Sequence, residues 1–145
     1  MSQTINAGEA LTGSGIAVEE VRERLTRVEP YAVQIRSARP WFRRLWAPGI
    51  AAVATPWGVY VTDSVYERIR SGAEPQRDGT LVVHELTHLE QFRRLGPVRH
   101  LTHYAADYLK ARIAGSKHWD AYRGIRLEVE AREVAAEFDP RQGPR

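Results

Sequence analysis

The run His84-Glu85-Leu86-Thr87-His88 sets two imidazoles four residues apart with a carboxylate next to the first. On a helix, positions i and i+4 share a face one turn apart, so both rings can reach one cation. Zinc takes imidazole nitrogens at about 2.0–2.1 Å, and a catalytic zinc site keeps three protein ligands and one open position for water. Glu85 projects from between the rings without ligating. That is the position of a general base acting on a metal-bound water. The spacing therefore predicts one Zn2+ per chain on His84 and His88, with Glu85 as the catalytic carboxylate.

A third protein ligand is required, and a later helical stretch carries two carboxylates, Glu128 and Glu130. Leu127, Ala131, Val134 and Phe138 recur at helical spacing and mark its buried stripe. Glu128 lies beside Ala131 and Ala135, small residues that let another helix come close. That place on the helix favours Glu128 as the metal ligand. Glu130 remains the alternative ligand, or a partner that orients a ligating His. Hydrolysis also needs a donor for the oxyanion formed on attack. His118 and Tyr122 precede Glu128 on the same stretch and are the chosen candidates, although Tyr104 and Tyr108 have the same chemistry. His100 and His103 stand at i and i+3, and are read as a solvated or partly buried helix face. Gln91 lies one turn beyond His88, available to a neighbouring loop or a substrate.

This combination, His84-Glu85-x-x-His88 with Gln91 and then Glu128-x-x-Ala131, resembles the gluzincin clan of zinc metallopeptidases. It is similar more narrowly to small bacterial peptidase-like domains with HELxHxxQ and a later ExEA, some of which accompany contractile injection systems. The resemblance spans residues 50–138. It implies a zinc metallopeptidase with Glu128 as third ligand, a peptide or protein substrate, and a protein assembly as a further partner. The metzincin arrangement does not fit, because Arg94 stands where its third His would be and Gln91 where its Gly would be. Many gluzincins carry an Asp four residues after the ligating Glu; here that position is Arg132, so support for a zinc His must come from elsewhere. The alternative implied is a peptidase-like binding module, catalytically weak or inactive, with a structural zinc.

The elements that would position these residues read as an α+β domain: a short antiparallel hairpin, then the zinc helix and two further helices, a minimal gluzincin-like arrangement. Residues 1–14 are rich in small polar residues and read as a flexible tail, 15–138 as one domain, and 139–145 as a second flexible tail. Val18, Val21, Leu25 and Val28 predict a helix ended by Pro30. A short strand follows over 31–36. Residues 50–54 and 57–62 read as paired strands around the turn Thr55-Pro56-Trp57-Gly58, the second offering an exposed edge to an extended peptide. Residues 71–79 read as a polar loop. Helices are expected over 80–95, 97–114 and 118–138, broken at Gly96-Pro97 and Gly115-Ser116.

The chain has 145 residues, enough for one core. Its charged fraction is 27% and its net charge +3, a balance that argues against nucleic acid as a partner. Arg36, Arg39, Arg43 and Arg44 interleave with Trp41, Phe42 and Trp46, and are read as a surface segment whose aromatics turn inward. The absence of cysteine excludes thiolate zinc ligands. The first residues lack a basic start and an apolar core, and no stretch has membrane-span length. Cytoplasmic residence is the default expectation, with non-classical export open.

Overall fold

The computed structural model describes residues 4–142. Strand β1 (Ile5–Asn6) leads directly into α1 (Ala7–Gly13). The Asn6 side chain caps α1 by accepting the Glu9 amide at 2.8 Å, and Ala7 and Leu11 are fully buried. The flexible tail expected over 1–14 is thus overturned from residue 5 onward, while residues 1–3 lie outside the described residues. The segment is anchored because Ala7 and Leu11, one turn apart, face the core, a pattern too short to register as periodicity. Helix α2 (Val18–Arg24) stops before Val28, where buried Glu90 accepts the Arg27 amide at 2.9 Å and draws the chain out of the helix. A single 3-10 turn over Pro30–Ala32 delays the next strand, β2, to Gln34–Ser37.

A short helix α3 (Pro40–Arg43) carries the basic and aromatic segment. Strands β3 (Ala52–Thr55) and β4 (Gly58–Val61) form the expected antiparallel hairpin. The sheet is larger than that hairpin, with order β1-β2-β4-β3, and β2 pairs parallel to β4. It is therefore a mixed four-stranded sheet whose edge strands are β1 and β3. The expectation that 57–62 is an edge is corrected, because Val59 pairs with both Ile35 and Ala54.

Helix α4 (Asp63–Ser71) is capped by Thr62 and closed by Gly72 in the left-handed region, φ 68°. Helix α5 (Pro75–Leu95) begins five residues before the sequence predicts. Pro75 occupies its first turn, as proline favours, and Asp78 is buried against Arg68 at 2.7 Å. Gly79 looks like a loop residue but is a packing residue: a Cβ there would stand 2.5 Å from the Ser14 Cβ. Helix α6 (Pro97–Ile113) follows as expected. The long third helix is two, α7 (His118–Arg123) and α8 (Arg126–Glu137). Asp107 of α6 accepts both the amide and the guanidinium of Arg126, which fixes the start of α8 after Gly124. The final segment is not wholly loose, since Pro140–Gln142 forms a 3-10 turn; residues 143–145 lie outside the described residues. No helix among the described residues is long and apolar enough to cross a membrane.

Candidate metal centre

Helix α5 is the axis of the site. Val82, Val83, Leu86 and Leu89 bury one flank of it in the core, which leaves His84, Glu85 and His88 facing α8 and β3. Helix α8 packs along α5 and delivers Glu128 from its first turn, where the helix dipole favours a negative charge. One Glu128 oxygen lies 3.1 Å from His84 Nε2, and the other 3.1 Å from His88 Nε2. Ligating atoms of His84, His88 and Glu128 all fall within 4.8 Å of one another. The sequence-preferred trio is thus brought together.

Glu130 is placed differently. Its Oε1 accepts from Gln91 Nε2 at 3.0 Å and from Arg94 at 3.0 Å, outside the trio. Gln91 is fully buried and also donates to the Leu127 carbonyl at 2.9 Å. With both its N–H bonds engaged, the Gln91 carbonyl oxygen must face the other way. There it accepts from His88 Nδ1 at 2.8 Å and from His100 Nε2 at 3.3 Å. His88 is thereby held with Nε2 toward Glu128 by Gln91, and position 132 takes no part in orienting it. Arg132 instead donates to the Arg123 carbonyl and lines a cavity.

Glu85 is buried, and the Ala54 amide of β3 donates to its carboxylate. Burial raises its pKa against the opposing pull of His88 and His84. For His88, burial alone would lower the pKa. The Glu128 hydrogen bond and the charges of Glu85 and Glu128 override it and hold the value up at about 9. Burial opposes ionisation of Glu128 as well, but hydrogen bonds from both histidines keep its carboxyl well below the usual range. Tyr104 and Tyr122 each donate to Glu128 Oε1 at 3.0 Å, and burial raises the pKa of both phenols.

Two cavities, of about 760 and 530 Å³, share Glu85, Tyr122 and Glu128 in their walls. The larger is mostly apolar and holds His88, Phe92 and Tyr108; the smaller exposes His84 and is walled by Trp119. Gly49, at φ 85°, lies flat on Trp119, and a Cβ there would stand 2.9 Å from the indole. Tyr122 therefore reaches the trio. His118 does not bond to it; its Nδ1 pairs with the Tyr108 hydroxyl at 2.9 Å, and its Nε2 and the Trp46 Nε1 are buried without partners along the larger cavity.

His100 and His103 do not act as a pair. His103 is exposed, whereas His100 is buried, stacked on Phe92 at 4.0 Å, with its pKa pushed down to about 4 by burial and the charge of His88. The roles of Gln91 and His100 lay beyond the sequence because both depend on contacts between α5, α6 and α8. The HELxHxxQ spacing was the one signal that Gln91 belongs to the site. Comparison with protein-family models, with curated proteins and with solved structures finds no match for this chain.

Proposed function

We propose that the chain is a zinc-dependent hydrolase, and specifically a metallopeptidase. One observation carries the reading: two imidazoles and a carboxylate converge within 4.8 Å beside a buried Glu85, at the junction of two cavities. The donor set fits zinc, because two imidazole nitrogens and one carboxylate form a three-ligand site with a position left over. The two Nε2 atoms already face a common carboxylate, and Gln91 fixes the tautomer of His88. When bound there, zinc would supply Lewis-acid chemistry, polarising a carbonyl and acidifying water.

The chain's own residues supply the rest. Glu85 takes the proton of the attacking water and returns it to the leaving amine. Its raised pKa brings it toward the range where a carboxyl both accepts and releases a proton. The Tyr122 hydroxyl fronts both cavities and is the preferred donor to the oxyanion, with Tyr104 beside it. His118, the other candidate donor, lies farther along the larger cavity with its Nδ1 on the Tyr108 hydroxyl, and is given no part at the trio. The open edge of β3 offers backbone groups to an extended peptide.

A second reading, a peptidase-like module with a structural zinc that docks to an assembly, is favoured by the burial of Glu85. Burial opposes the ionised form that a base needs. A cation close by reverses that balance, which is why the hydrolase reading is preferred. Metal analysis and peptide-library cleavage separate the two. His88→Ala is expected to lose zinc, and Glu85→Gln to keep one zinc per chain while losing cleavage. Zinc retained by His88→Ala refutes the ligand set, and cleavage retained by Glu85→Gln refutes the base.

A further inference from the structure

Helix α6 presents an apolar stripe to solvent. Among its residues only His100 is fully turned into the core. Apolar residues at 98, 101, 105, 109 and 113 fall, at 100° per residue, within an arc of about 120°. Val98, Leu101, Leu109 and Ile113 on that arc are 79%, 66%, 56% and 86% exposed. The stripe runs the length of a 17-residue helix, about 25 Å. It continues beyond α6, because Leu101 lines the larger cavity together with Leu45 and Trp57, which are 74% and 82% exposed. Trp57 stands in the turn between β3 and β4. An exposed apolar surface this extended marks an interaction site.

Charge identifies the partner. Arg99, His103 and Lys110 border the stripe on one side, and Arg112 interrupts its far end. The single acid of α6, Asp107, lies opposite the stripe and is bound to Arg126 at 3.0 Å. Arg44, adjacent to Leu45, is exposed, as is Arg99. An apolar stripe bordered by cations and free of acids, with a tryptophan projecting from a turn, matches the headgroup boundary of an anionic membrane.

We infer that this face docks on the surface of an anionic phospholipid bilayer, with α6 in the plane of the interface and Trp57 and Leu45 dipping in beside it. The chain lies on the bilayer and does not span it. Docking also turns toward the bilayer the mouth of the cavity that reaches Glu85 and His88.

The test is co-sedimentation of the full chain with vesicles of phosphatidylcholine, alone or with roughly one-third phosphatidylglycerol. Binding to the anionic vesicles is expected to be at least about tenfold tighter and to weaken with salt. The exposed triple variant Leu101→Ser, Leu109→Ser, Ile113→Ser is expected to lose about tenfold or more in vesicle binding at an unchanged melting temperature. Arg44→Glu with Arg99→Glu and Lys110→Glu loses binding to the anionic vesicles. His88→Ala keeps it, which separates this surface from the hydrolase reading. No binding to anionic vesicles by the wild-type chain overturns the proposal. So does binding that survives the triple serine variant and is matched on duplex DNA, which is polyanion attraction alone. A dimer in sedimentation velocity that the serine variant dissociates, without vesicle binding, assigns the face to a second copy instead.

Discussion

His88 Nδ1 lies 2.8 Å from Gln91 Oε1, and this bond sets which nitrogen His88 turns toward Glu128. The Gln91 amide cannot flip, because its nitrogen is committed to the Leu127 carbonyl and to Glu130. Gln91→Leu removes the acceptor and leaves two imidazole N–H groups facing an apolar side chain. Loss of such an outer partner typically costs about 10–100-fold in metal affinity. Stranded buried donors cost about 1–3 kcal/mol of stability. Zinc affinity by chelator competition, alongside urea denaturation, measures both. An unchanged zinc affinity in a folded Gln91→Leu chain would show that the bond does not tune the site.

Proton release on metal binding is the second expectation. In the metal-free chain His88 is protonated and paired with Glu128, its pKa held up at about 9. A raised folded pKa stabilises the metal-free chain fully below about 6.5, and that contribution is lost as pH rises through about 9. Zinc requires the neutral imidazole and so competes with this proton. Affinity is expected to climb about tenfold per pH unit from neutrality toward 9, with about one proton released per zinc at pH 7. Titration calorimetry in buffers of different ionisation enthalpy reads that proton directly. Affinity independent of pH between 7 and 8.5 contradicts it.

The chemistry of the site was more legible in the sequence than its scaffold. His84, Glu85 and His88 sit on one short helical motif, so helical periodicity alone defines their relation. Glu128 was reachable because the small residues Ala131 and Ala135 mark where α8 approaches α5. By contrast, Gln91 acts through Leu127 and Glu130, residues 36 and 39 positions away. No local pattern encodes that pairing. Strand β1 has two residues and α1 seven, too short for a period to emerge, yet Leu11 is completely buried. The split between α7 and α8 depends on Asp107 reaching Arg126, again a tertiary contact.

The N-terminal segment supplies the third expectation. Leu11→Ala opens a void in the core beside α5 and is expected to cost about 2–5 kcal/mol. Deletion of residues 1–14 removes β1, α1 and the Ser14 surface that Gly79 packs against, and is expected to abolish cooperative unfolding. Urea denaturation decides this, since a dispensable tail would leave the midpoint unchanged.

His100 gives the fold an acid sensitivity. Its folded pKa is depressed to about 4 from the ordinary 6.5, so the unfolded chain binds more protons between those values. Stability from this residue is complete above about 6.5 and is lost as pH falls toward 4. His100→Phe keeps the stacking on Phe92 and cannot titrate. Its urea midpoint is expected to fall less than that of the wild-type chain between pH 7 and 4.5. Parallel losses in both chains would assign the acid sensitivity elsewhere.

Glu128 and Glu130 separate ligand from support. Both are carboxylates on α8, two residues apart, but only Glu128 faces His84 and His88. Glu128→Gln removes the charged ligand while its amide still fits beside Tyr104 and Tyr122, so zinc affinity is expected to fall by several orders of magnitude. Glu130→Gln retains an acceptor for the Gln91 amide and weakens only the pair with Arg94, whose partial exposure limits its worth to under about 1 kcal/mol. Its zinc affinity is expected to stay within about tenfold of wild type. Chelator competition on the two variants compares them at one pH. If Glu130→Gln loses zinc while Glu128→Gln holds it, the third ligand is Glu130, and α8 must turn by about 160°, nearly half a turn, about its axis to deliver it.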